Sequence, residues 1–100
     1  MGTSKEYMDF ILETISYEGE IRYKKMFGEY MVYVNDKPLL MVCDDIVYVK
    51  EKEELKDLMK QADKGYPYNG AKEHYILDVE DGELTNKVLE VLEKITEIPK

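Results

Sequence analysis

The sequence predicts an α+β domain of two layers, with a largely antiparallel sheet of about five strands and three helices in the order α-β-β-β-β-α-β-α. Three observations lead there. Apolar residues recur at helical spacing near both ends of the chain. Between residues 21 and 50, β-branched and aromatic residues alternate in short runs, and two Asx pairs interrupt those runs at hairpin distance. With 100 residues and 44% hydrophobic side chains, the chain fits one globular domain over residues 1–100 with one modest core.

Residues 3–16 read as a helix because Met8, Ile11, Leu12 and Ile15 form one stripe, and Thr3 with Glu6 has capping-box spacing. Gly19 marks its exit. Strands are expected over residues 21–26, 30–34, 38–43 and 46–50, with Gly28 as a turn or bulge after the first. Asn35-Asp36 and Asp44-Asp45 occupy tight turns, where a short Asx side chain tolerates left-handed dihedrals. Antiparallel pairing follows, since a parallel crossover needs a dozen or more connecting residues.

Residues 51–62 return to helical spacing through Leu55, Leu58, Met59 and Ala62. Residues 63–73 hold Gly65, Pro67, Asn69 and Gly70 and read as the main loop, carrying Tyr66 and Tyr68. A fifth strand is expected over residues 74–79. Asp81 is the expected N-cap of a last helix, whose apolar face is Leu84, Val88, Val91, Leu92 and Ile95.

The formal net charge is -8, from 22 acids and 14 bases, which disfavours a whole-protein grip on nucleic acid or an anionic membrane. The single Cys43 rules out an intrachain disulfide, so a reducing cytoplasm is the expected compartment. No secretory signal is expected, because Glu6, Asp9 and Glu13 interrupt the first apolar pattern, and no apolar run approaches the ~20 residues of a membrane span.

Met26-Phe27-Gly28 with Tyr30 and Tyr33, followed by Asp44-Asp45 with Tyr48 and Lys50, resembles the N-terminal domain of the TfoX/Sxy competence-regulator family. Glu29 and Met31 stand where that family usually has glycines. The resemblance implies a two-layer fold similar to secretion chaperones and a regulatory role, and it makes these nine residues candidates for partner binding. Longer members of the family carry a second, C-terminal domain.

Other constellations have plainer readings. Gly28 and its neighbours suit a fold-determining turn, and Asp44-Asp45 suit a hairpin. Two adjacent acids do not make a Mg²⁺ or Ca²⁺ site without further oxygen ligands. Cys43 and His74 are the only thiol and imidazole, so Cys-His catalysis would need both, and together they are too few for zinc. No catalytic residue, metal or cofactor is expected.

Arg22 and Lys24 share one face of the first strand, while Lys52, Lys56 and Lys60 recur every fourth residue. These five are candidate contacts for an anionic partner. Residues 50–64 nevertheless hold five bases and five acids, which favours an ion-paired, solvated surface.

The expected sheet is apolar on both faces: Tyr30, Val32 and Val34 alternate with Met31 and Tyr33, and Ile46 and Tyr48 alternate with Val47 and Val49. Either three helices cover both faces or a second protein covers one. The expectation is therefore a non-enzymatic regulatory or adaptor protein acting through protein contacts, with a homodimer as one form. A DNA-binding regulator of competence-type genes and a small enzyme using Cys43 and His74 are the alternatives.

Overall fold

The computed structural model describes residues 4–26 and 29–98. Helix α1 spans Lys5–Thr14 and buries Met8 and Ile11. Its N-terminus is capped by Ser4, whose Oγ accepts from the Tyr7 N–H at 3.2 Å. Thr3, the cap read from the sequence, lies outside the described residues, as do Phe27 and Gly28 of the motif.

The sheet comprises β1 (Ile21–Met26), β2 (Glu29–Val34), β3 (Lys37–Cys43), β4 (Ile46–Lys50), β5 (Lys64–Gly65) and β6 (His74–Ile76). The order is β1-β2-β3-β4-β6-β5, with antiparallel pairing throughout. Asn35, Asp36, Asp44 and Asp45 all have positive φ, between 51° and 67°. Left-handed dihedrals at both central residues make type I′ turns, whose twist matches that of the flanking strands. The two hairpins predicted from Asx chemistry are therefore formed, by the conformation those side chains tolerate best.

Helix α2 spans Gly82–Ile95 and is capped by Asp81, whose carboxylate accepts from the Leu84 N–H. Met8, Ile11 and Ile15 from the first helical segment meet Val88, Leu89 and Leu92 of α2 over Val32, Val34, Leu40, Val42, Val47 and Val49. These strand residues alternate with Met31, Tyr33, Met41 and Tyr48. Both helices thus lie on one face of the sheet, here the inner face, and the other is the outer face.

The sequence expectation of three helices needs correction to two among the described residues. Residues 51–62 form a 3-10 turn at Glu53–Leu55 followed by further turns, with one helical bond of α type from the Met59 N–H to the Leu55 carbonyl. Leu55 and Met59 are fully buried, so the apolar stripe is used. A continuous helix would stack Lys52, Lys56 and Lys60, and Glu53 with Asp57, as like-charge i,i+4 neighbours, each pair costing about 0.2–0.5 kcal/mol. Packing of two anchors outweighs helical continuity here.

The predicted fifth strand is shorter, ending at Ile76 with one further ladder bond from the Leu77 N–H to the Val47 carbonyl. A sixth strand, β5, occupies part of the predicted loop. At Gly65 an added Cβ would sit 3.3 Å from the Ile76 side chain and 3.4 Å from the Tyr48 ring, so glycine lets the edge strand approach closely.

Candidate functional site

The outer face carries most of the motif residues that reach the surface, and it starts from strand alternation. Opposite one another in register lie Lys24 and Met31, Met31 and Met41, Met41 and Tyr48, and Tyr48 and Ile76. Three of the six methionines, Met26, Met31 and Met41, therefore line one side of the sheet, while Met8 and Met59 serve the core. None of the helices covers them. Residues 66–73 pass over part of this face: the Cys43 Sγ donates to the Pro67 carbonyl at 2.9 Å, and Tyr68 closes a hollow of about 340 Å³ with Met26, Glu29, Tyr30, Met31 and Met41.

A second hollow of about 360 Å³ begins on the far side of Met31 and Met41. Its walls are Leu39, Leu40, Tyr48 and His74 from the sheet and Leu92, Ile95, Thr96 and Glu97 from the end of α2, with Lys50 and Lys52 on its border. A β-bulge shapes it. Val32 pairs with Leu40 and Tyr33 with Pro38, leaving Leu39 extra. Two successive leucines are both buried as a result, and Pro38 sits beside an irregularity, where a residue without an N–H is tolerated.

The end of α2 is held in place by polar contacts to the β2–β3 turn. Glu93 accepts from the Tyr17 hydroxyl at 2.6 Å and from the Asn35 amide at 2.7 Å, and the Lys37 Nζ donates to its carbonyl at 2.7 Å. The Tyr17 hydrogen bond, then that from Asn35, holds the Glu93 carboxyl below its usual range. The same bond pushes Tyr17 up to about 12.

The candidate motif residues divide by role. Tyr30 is buried on the inner face and packs edge-on against Tyr23, at a centroid distance of 5.3 Å. Asp44 and Asp45 form the β3–β4 turn, and Asp45 also accepts from the Ser4 N–H. Met26, Tyr33, Tyr48 and Lys50 belong to the outer face. Tyr48 is 6% exposed, stands edge-on to His74, and has its hydroxyl pushed up, first by burial.

Cys43 and His74 are not brought together. Cys43 is opposite Ile46 and His74 opposite Lys50, so four residue steps along β4, roughly 13 Å of strand, separate them. Burial, followed by Glu29 and Asp44, raises the Cys43 thiol above its ordinary value, which disfavours the nucleophilic thiolate.

Of the anionic-partner candidates, Arg22 is held by Asp36 and Glu20. Lys24 has no ion pair among the described residues. Although the expected helix is absent, Lys52, Lys56 and Lys60 still share one hollow with Lys64, Glu51, Glu53, Met59 and Tyr75. Lys64 there bonds Glu51 and lies 5.4 Å above the Tyr75 ring. No helix among the described residues is long and apolar enough to cross a membrane.

The hollow beside His74 was not anticipated as a site, and the sequence reading considered the ring only as a partner of Cys43. The available signals were Gly65, which implies close approach at the strand it flanks, and the successive Leu39-Leu40, which breaks an alternating pattern.

Comparison with known proteins places these residues in context. A family model described as the TfoX N-terminal domain matches residues 13–92. An "Uncharacterized 12.7 kDa protein in trpE 5'region" from Spirochaeta aurantia is 28% identical over 102 residues, covering 100% of this chain and 89% of that protein. No solved structure matches.

Proposed function

Because this chain belongs to the TfoX N-terminal domain family, a family of regulatory type, we propose that it regulates through protein contacts and not by catalysis, using the outer face of its sheet. The observation that carries this reading is the row Met26, Met31 and Met41, which neither helix covers and which lines a hollow with the exposed Tyr68. Thioethers are polarizable and conformationally adaptable, which suits a surface that must accommodate another protein. Exposed apolar area of this kind marks contact sites on otherwise polar domains.

A second copy of the chain is the partner this surface fits. A two-fold contact places the same patch on both sides, so it must be self-complementary. Lys24 and Glu29 flank the methionines on neighbouring strands and supply both signs of charge. Light scattering on the purified chain at tens of micromolar should give twice 11.8 kDa, and Met26→Glu or Tyr68→Glu should return it to one chain. A monomer at that concentration, or a dimer indifferent to both substitutions, would overturn the proposal.

A DNA-binding role in competence-type regulation is the second reading. It is favoured by the convergence of Lys52, Lys56 and Lys60 on one hollow.

A further inference from the structure

The two edges of the sheet are unlike. At one edge β5 is two residues long, too short to template another strand. At the other, β1 runs six residues in unbroken register with β2, with neither a proline nor a bulge. The Asn35 N–H donates to the Glu20 carbonyl at 2.8 Å, which makes Glu20 and Asn35 a hydrogen-bonded pair. Bonded and non-bonded pairs alternate along an antiparallel ladder, so Arg22, Lys24 and Met26 turn their backbone groups toward β2. Ile21, Tyr23 and Lys25 turn theirs away. Those three N–H and three C=O groups have no partner among the described residues.

Side chains decide which strand such an edge accepts. Arg22 and Lys24 lie on the outer face, and Lys25 lies on the inner face opposite Tyr30. Arg22 is held by Asp36 and Glu20, whereas Lys24 and Lys25 are exposed and make no ion pair among the described residues. A second copy of the chain fits this edge badly. Paired antiparallel about Tyr23 it sets Arg22 against Lys24, and paired about Lys24 or Lys25 it sets lysine against lysine. We propose that β1 accepts an extended acidic segment of a partner protein as a seventh strand. The backbone of that segment completes the ladder at Ile21, Tyr23 and Lys25, and two successive carboxylates meet Lys24 and Lys25 on the two faces. In strand addition of this kind, main-chain bonds supply affinity and side chains supply the choice of partner. It engages the edge of the sheet and not its outer face, so it goes beyond the contact proposed above and does not depend on it.

The test titrates three capped octapeptides into the isotope-labelled full chain, followed by amide chemical shifts and hydrogen exchange. The first is Thr-Val-Glu-Glu-Val-Thr-Val-Thr, the second carries lysine for both glutamates, and the third is the acidic peptide with proline for its last two valines. The acidic peptide should bind saturably and slow exchange at Ile21, Tyr23 and Lys25, while Arg22 and Lys24, already bonded to β2, stay unchanged. The lysine peptide lacks the charge and the proline peptide lacks the ladder donors, so neither should bind. Lys25→Ala removes one exposed charge and should weaken the acidic peptide by up to about five-fold. Lys25→Pro removes an outward N–H without touching the β1–β2 ladder and should abolish binding. The proline peptide keeps the test decisive if that variant fails to fold. The proposal is overturned if the acidic peptide leaves these three amides unprotected at millimolar concentration, or if the lysine or proline peptide binds as well. Protection that appears in the chain alone and grows with its concentration would assign the edge to a second copy and equally overturn it.

Discussion

Glu93 shows how one side chain can set the geometry of a distant surface. Its carboxylate joins Tyr17 to the Asn35 turn, and its carbonyl holds Lys37, so the last turns of α2 are registered on the β2–β3 hairpin. Gly19 makes room for this arrangement: its φ is +135°, and a Cβ there would stand 2.7 Å from the Asn35 amide that donates to Glu93. The titration consequences have opposite signs. A carboxyl lowered in the fold contributes stability that is present above its unfolded value and lost as pH falls through the folded one. Tyr17, raised from 10.0 to about 12, contributes stability that is complete below pH 10 and lost as pH rises toward 12. Thermal unfolding across pH should therefore show an alkaline decline between those values that Tyr17→Phe reduces, and an acid decline that Glu93→Gln reduces. An alkaline decline unchanged by Tyr17→Phe would show that other groups govern it.

Among the elements, residues 51–62 separate two signals that usually agree. Hydrophobic spacing selects Leu55 and Met59 for burial, whereas charge spacing opposes a continuous helix, and the structure satisfies the first without the second. Leu55→Ala should then destabilise the fold by about 2–5 kcal/mol, since a fully buried leucine loses both transfer and packing energy. Denaturant unfolding measures it. A loss below about 1 kcal/mol would mean that the segment detaches from the core easily, contrary to its packing. On α2 the i,i+4 pairs Glu83–Lys87 and Glu90–Lys94 are formed, at 3.1 and 3.3 Å, consistent with a regular helix there.

For the whole molecule, the charge is layered. Eight acids against two bases fall in residues 73–97, three of the acids on α2 itself, while Lys24, Lys50 and Lys52 are associated with the sheet's outer face and its border. A net charge of -8 therefore coexists with a locally cationic approach. If DNA binds at Lys52, Lys56 and Lys60, three phosphate contacts predict that affinity falls with salt at a log-log slope of about -3, and Lys56→Glu should shallow it by about one contact. Absence of binding at low salt would eliminate this reading.

Much of the fold was legible in the sequence for local reasons. Asx pairs tolerate left-handed turns, so both hairpins could be placed. Period-two alternation identified the strands and their two faces, and the Asp81 cap with its apolar stripe identified α2. The motif from Met26 to Lys50 pointed to the family, and the family model confirms that membership. What remained illegible depends on contacts between distant segments. Periodicity reports which face of an element is apolar but not which faces meet, so only the tertiary structure places both helices on one side and leaves three methionines on the other. A two-residue strand such as β5 has no period to detect. The burial of His74, edge-on to Tyr48 from another strand, exists only because segments far apart in sequence close around it.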